Sequence, residues 1–336
     1  MTVVGTFGLS VRDQALEADV QAGLVAVEEG LLEATKSEVP FITEAAQHLV
    51  RAGGKRFRPL LVTLAAQFGD PYAPGIVPSA VVVELTHLAT LYHDDVMDEA
   101  DVRRGVESAN QRWGNSVAVL TGDFLFARAS HILADLGPDA VRIQAEAFER
   151  LVTGQILETA GPAEGRDPVD HYLDVLAGKT GSLIAVACRF GAMMSGADET
   201  VVDVLTQYGE RLGVAFQLAD DVLDIASDSH ESGKTPGTDL REGIPTLPVL
   251  RLRERALLLG LPEDQALVEL LDSDLADDAR LAEAIARLRV HPALEQARRD
   301  TVRYAEEARS VLAPLPECQA KAALVELCDA VVHRAG

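Results

Sequence analysis

Apolar residues recur at helical spacing along almost the whole chain. Leu16, Val20, Leu24, Val27 and Leu31 form one stripe, and Leu324, Leu327 and Val331 form another. Steps of three and four residues put such side chains on one face of a helix. Runs such as Val81-Val82-Val83 continue into sequence with the same period, so no convincing β-hairpin or βαβ unit is read. Glycine and proline break the pattern at Gly53-Gly54, Gly69 to Pro78, Gly137-Pro138, Gly161 to Pro168, Gly196, Ser227 to Pro245, Gly260 to Pro262, Pro292 and Pro314 to Pro316. These breaks leave about a dozen helices, several of them roughly twenty residues long. No Pro- or Ser-rich linker separates them. The expectation is one all-α domain over residues 1–336, with central helices buried on more than one face.

Composition narrows the function classes. Thirty basic and 53 acidic side chains leave a charge of −23, which argues against a nucleic-acid binder. Cys188, Cys318 and Cys328 form no CxxC pair and sit in periodic apolar sequence, as buried thiols do. The first twenty residues carry acids and lack the basic-then-apolar order of a signal peptide. The apolar run from Leu183 to Ala197 is interrupted by Arg189 and is too short to span a bilayer. A soluble, cytoplasmic protein is expected.

Two segments share one pattern, Asp94-Asp95-Val96-Met97-Asp98 and Asp220-Asp221-Val222-Leu223-Asp224. With 27 aspartates in 336 residues, a DDxxD pattern arises by chance about 0.2 times per chain, so two need a cause. On a helix Asp94 shares a face with Asp98, and Asp220 with Asp224. Like charges about 4 Å apart repel by roughly 4 kcal/mol at an effective dielectric near 20. A counter-charge is therefore required. Hard oxygen donors without neighbouring His or Cys pairs favour magnesium, held by one or two carboxylates together with substrate phosphate oxygens.

Positive charge is concentrated too. Arg51 to Arg58 holds four basic residues and no acid, and Arg103-Arg104 makes a second basic point. Gly53-Gly54 suits a helix C-terminus and Pro59 the first turn of the next helix. Lys55, Arg56 and Arg58 then sit near a helix N-terminus, which already attracts anions. Acidic clusters for metal and a separate basic pocket imply two phosphorylated substrates held in different ways.

With these residues in place, the chain resembles the trans-prenyl diphosphate synthases, most of all bacterial long-chain members. Gly53-Gly54-Lys55-Arg56-Phe57-Arg58-Pro59 looks like their GGKRxRP segment. Asp94 to Asp98 with Arg103-Arg104-Gly105 looks like the first aspartate-rich motif and its RRG. Lys179-Thr180, Gln217, Asp220 to Asp224 and Gly237-Thr238-Asp239-Leu240 look like the later motifs, in family order. The resemblance implies an isoprenoid synthase bundle around a central cavity. It implies that an allylic diphosphate, bridged by magnesium to both clusters, ionises to an allylic cation, and that isopentenyl diphosphate attacks through its terminal carbon. Asp94, Asp98 and Asp220 would bind magnesium, three ions with substrate present, supported by Asp95, Asp221 and Asp224. Lys55, Arg58, His87 and Arg104 would hold isopentenyl diphosphate. Arg103, Lys179, Thr180, Gln217 and Lys234 would contact the allylic diphosphate, with Arg103, Lys179 and Gln217 nearest the chemistry.

The resemblance also implies a homodimer, for which the segment Ser116 to Ala134 is candidate interface, and a product passed to membrane. Ile244 stands where many relatives carry a lysine, so that cation is missing or supplied by Arg241. Short-chain relatives often block growth with an aromatic residue five positions before the first motif. Here that position is Ala89, which predicts a long product of about thirty to fifty carbons by resemblance, with Tyr92 the nearby aromatic that could narrow the tunnel. A farnesyl- or geranylgeranyl-type short-chain synthase and a class I terpene cyclase are the alternatives. The second aspartate cluster and the basic island count against the cyclase.

Overall fold

The computed structural model describes residues 14–226 and 237–335, and these are almost entirely helical. Their residues divide into two compact units. The first comprises Met1–Glu149, Ser182–Gly209 and Val311–Glu326, and the second Arg150–Gly181, Glu210–Ser310 and Leu327–Gly336.

In the first unit α1 (Gln14–Ala34), α2 (Pro40–Arg51), α3 (Phe57–Ala66) and α4 (Ile76–Met97) precede a small hairpin of β1 (Val102–Arg103) and β2 (Val106–Glu107). Then come α5 (Ala109–Trp113), α6 (Asn115–Leu136) and the first part of α7 (Pro138–Ala160). After α8 (Pro168–Leu176), α9 (Ser182–Met194) and the start of α10 (Glu199–Ala226) return to this unit. Helix α4 is its centre and packs against α1, α3, α6 and α9. Every residue from Ala80 to Thr86 is buried, so the helix is enclosed on all sides. Two glycines allow neighbours to come close. A Cβ on Gly191 of α9 would lie 2.2 Å from the Val62 carbonyl of α3, and one on Gly122 of α6 would lie 2.3 Å from the His93 ring of α4.

The second unit holds α8, the rest of α10, and α11 (Thr238–Arg241), α12 (Leu247–Leu259), α13 (Pro262–Leu271), α14 (Asp278–Arg289) and nearly all of α15 (Pro292–Val311), with most of α16 (Gln319–Ala335). Here α12 packs on α8 and α13, and α13 on α14. The Asp167 and Asp277 side chains cap α8 and α14 by accepting two backbone N–H bonds each.

The helical reading holds, with one exception. A hairpin does exist: Val102 pairs with Glu107 and Arg103 with Val106. Its turn residues, Arg104 and Gly105, have φ of +53° and +77°, the left-handed pair of a two-residue I′ turn. Strands of two residues are too short to alternate visibly in sequence.

Candidate active site

Helix α2 ends as Gly53 turns to φ +85°, and α3 begins after Arg56, itself left-handed at φ +52°. The loop between them and the hairpin bring four cations to one place in the first unit. Their roles differ. Arg56 is buried and bonds to Glu28, to Glu84 at 2.9 Å, and to the Val50 and Gly53 carbonyls. Arg104 donates to the Leu49 carbonyl at 3.1 Å and to that of Gly53, with Glu84 at 3.6 Å. Both thus bond backbone carbonyls around the end of α2. Arg58 is different: its Nε is buried with no hydrogen-bond partner. Burial pushes it down to about 10, Glu84 opposing the shift and Arg104 adding to it. Lys55 is exposed on the loop. A Cβ on Gly54 would lie 2.9 Å from the Arg104 Cζ, so the guanidinium occupies the space a side chain there would need.

His87 is half-buried on α4, seven residues before Asp94. Burial, then Arg58, Arg104, Arg56 and Arg103, hold it well below the ordinary histidine range. It is a neutral ring among guanidinium groups.

The first aspartate motif closes α4. Asp98 is the C-cap, its N–H donating to the Asp94 carbonyl at 2.8 Å, and its side chain is half exposed. Asp95 is fully buried and accepts from Arg103 Nε at 2.5 Å. Burial raises its pKa, Arg103 opposes that, and Asp98 reinforces it. Asp95 Oδ2 is buried with no hydrogen-bond partner. Upstream on α4, Ala89 is fully buried, and Thr86 accepts from Gln144 Nε2 at 3.0 Å. Tyr92 is turned to α2, its hydroxyl donating to the Ala45 carbonyl at 2.6 Å and accepting from the Leu49 N–H at 3.3 Å.

The second unit carries the other set. Asp221 of α10 is buried and accepts from the Tyr172 hydroxyl of α8. Asp224 accepts the Gly237 N–H at its carbonyl, 2.9 Å, and the Asp239 N–H at its carboxylate, 3.3 Å. Asp220 and Gln217 are half-buried on the same helix. Lys179 and Thr180 lie in a π-helical turn, Ala177–Gly181, between α8 and α9. Such turns widen a helix by one residue and recur at functional sites. A Cβ on Gly154 would lie 2.7 Å from the Lys179 backbone nitrogen, so α7 presses directly on the turn. Lys179 Nζ bonds Glu158 at 2.7 Å. Arg241 donates to Asp278 at 2.5 Å and to the Ala276 carbonyl at 2.9 Å. Lys234 lies outside the described residues.

Sequence reasoning missed Glu84, Tyr172 and the π turn, and grouped Arg56 with the pocket cations although the fold uses it internally. Among the described residues no three His, Cys, Asp or Glu side chains gather closely enough to hold a metal ion alone. Oxygen-only donors and an unpartnered buried carboxylate oxygen nonetheless fit a hard divalent ion whose remaining ligands are substrate oxygens and water.

The polyprenyl synthetase family model matches residues 39–288. Nonaprenyl diphosphate synthase of Mycobacterium tuberculosis is 47% identical over 331 residues, 98% of this chain and 97% of that protein. Dimethylallyltranstransferase of the same organism is 39% identical over 323 residues, covering 96% and 97%. Among solved structures, geranylgeranyl pyrophosphate synthase from Corynebacterium glutamicum, complexed with calcium and isoprenyl diphosphate, has a TM-score of 0.86 at 44% identity, covering 96% and 98%. A decaprenyl diphosphate synthase from Rhodobacter capsulatus has a TM-score of 0.86 at 36% identity, covering 96% and 99%.

Proposed function

Since the chain belongs to the polyprenyl synthetase family and is a prenyltransferase, we propose that it extends an allylic prenyl diphosphate with isopentenyl diphosphate into a long all-trans polyprenyl diphosphate, releasing pyrophosphate. The observation that carries this reading is Arg58: a buried guanidinium nitrogen without a protein partner, in a basic seat on the helix system that ends at Asp94 to Asp98. Arg58, Arg104, Lys55 and the neutral His87 hold the isopentenyl diphosphate. Arg103, Lys179, Thr180 and Gln217 contact the allylic diphosphate, and Lys234 belongs with them by its place in the sequence. Asp94, Asp98 and Asp220 are the residues for magnesium, with Asp95, Asp221 and Asp224 in support. Three bound ions would supply Lewis-acid neutralisation of the departing pyrophosphate. Cleavage of the allylic C–O bond leaves a cation. The terminal carbon of isopentenyl diphosphate closes the new C–C bond, and loss of a proton completes the trans double bond. Arg103 and Lys179 add fixed positive charge where the leaving group gathers its own negative charge.

Purified chain should turn over both substrates with added magnesium, stop on chelation and recover on re-addition. Failure to turn over alone would point to a partner subunit and overturn the reading.

The small side chain of Ala89 supports a long product, and the Tyr92 hydroxyl is tied to the Ala45 carbonyl of α2. Ala89→Phe should shorten the product ladder, because bulk added to a packed wall is not readily absorbed. The likeness to a geranylgeranyl pyrophosphate synthase favours the short-chain alternative, and chromatography of dephosphorylated products decides between them. A wild-type ladder ending at fifteen or twenty carbons rejects the long product.

The chain works as one catalytic domain, cytoplasmic and homodimeric, delivering its product to membrane. Val119 and Leu120, exposed on α6, support the dimer. That helix and the stretch Pro168–Met194 are long and apolar enough for a bilayer span by composition alone, but the stretch is mostly buried, and an apolar face on α6 equally suits a second copy. Light scattering at micromolar concentration should give twice the chain mass.

A further inference from the structure

Glu84 lies on α4 ten residues before Asp94 and is 1% exposed. It belongs to none of the motifs. A buried carboxylate is costly unless paired, and Glu84 is surrounded by cations. Its Oε1 accepts from Arg56 Nη1 at 2.9 Å and stands 3.6 Å from Arg104 Nη2, and its charge favours the ionised form of Arg58. The three guanidinium groups are left in three different conditions. Arg56 is consumed by two glutamates and two carbonyls. Arg104 is anchored on two carbonyls with Glu84 beside it. Arg58 keeps a buried nitrogen without a protein partner.

We infer that Glu84 is the positioning residue of the isopentenyl diphosphate seat: it draws Arg56 and Arg104 into fixed places so that Arg58 remains for the substrate. This rests on the assignment of that seat under the proposed function. Without Glu84, Arg56 keeps Glu28 and Arg103 keeps Asp95, but the carboxylate beside Arg104 and nearest Arg58 is gone and the guanidinium groups repel more strongly. Arg104, the less firmly held of Glu84's two partners, then leaves its carbonyls. The carboxylate itself opposes an incoming diphosphate, so its value to the reaction is geometric: it costs attraction and supplies order. A purely structural ion pair would weaken the fold and leave the two substrates equally affected. A positioning residue separates them.

Steady-state rates are measured with each substrate varied while the other is saturating. Glu84→Gln is expected to raise KM for isopentenyl diphosphate by about tenfold while KM for the allylic diphosphate stays within about twofold. Glu84→Asp, which keeps the charge but withdraws it by one methylene, is expected to raise the same KM by about threefold and to spare the other. If Glu84→Gln does not fold, Glu84→Asp decides alone. Equal changes in both KM values, or a lowered melting temperature with neither KM changed, overturn the inference. Arg58→Ala tests the seat itself. If it leaves KM for isopentenyl diphosphate unchanged, the seat is misassigned; if it raises that KM while the Glu84 variants do not, the seat stands and Glu84's role falls.

Discussion

The motif that closes α4 and the motif on α10 share the DDxxD pattern, yet different neighbours reach their carboxylates. In both, the second aspartate is buried, while the first and last are half-buried or more exposed. The buried member of the first, Asp95, is held by a cation, Arg103. The buried member of the second, Asp221, accepts from the Tyr172 hydroxyl. Arg103 also reaches toward Asp98 at 3.8 Å and stands on a hairpin beside Arg104. Asp224 instead receives backbone N–H groups from the Gly237 to Asp239 turn. The shared DDxxD pattern therefore states only which carboxylates are the more exposed. What steadies them comes from elsewhere in the chain.

The largest test of this comparison removes the outward carboxylates. Asp94→Ala and Asp220→Ala should each lower turnover by about three orders of magnitude with an unchanged circular dichroism spectrum. If either variant retains near-wild-type turnover, the two ends are not equivalent and the metal assignment fails. The supports should then separate. Arg103→Gln is expected to lower kcat by about a hundredfold, because it removes a charge from both Asp95 and the leaving group. Tyr172→Phe removes one hydrogen bond, and a loss of tenfold or less, with about 1 kcal/mol of stability by urea titration, is expected. Equal losses would erase the distinction between charged and neutral support. The smallest effect concerns acid. His87 is held neutral in the fold, so below about pH 6.5 the unfolded chain binds the extra proton and stability falls as pH is lowered. The drop in urea midpoint from pH 7 to pH 5.5 should shrink in His87→Gln.

Much of this arrangement was legible from spacing. Gly53 after α2, Pro59 in the first turn of α3, and the shared faces within each aspartate motif follow from helix geometry alone. The supports were not. Tyr172 precedes Asp221 by 49 residues, and Arg104 bonds Leu49 across 55. No periodicity reports pairings at such separations. Glu84 was hidden because one acid in a run of valines and leucines does not disturb a helical stripe. The π turn at Lys179 was hidden because its widened hydrogen bonding has no residue signature as distinct as a cap. Charge and spacing alone did not separate Arg56 from Arg58, two residues apart; the family resemblance named Arg58, and the structure gives Arg56 to the scaffold and leaves Arg58 with an unpartnered nitrogen.

Gly54 carries a consequence for how this chain can vary. It sits on an exposed loop, where substitutions are ordinarily tolerated, but the volume beside its Cα already belongs to the Arg104 guanidinium. Positions 54 and 104, remote in the chain, therefore do not vary independently. A side chain at 54 meets two costs at once: a φ of +149°, which side chains rarely adopt, and displacement of the end of the Arg104 side chain from the Leu49 and Gly53 carbonyls. Gly53 is different, since a Cβ there meets no neighbour and only its φ of +85° asks for glycine.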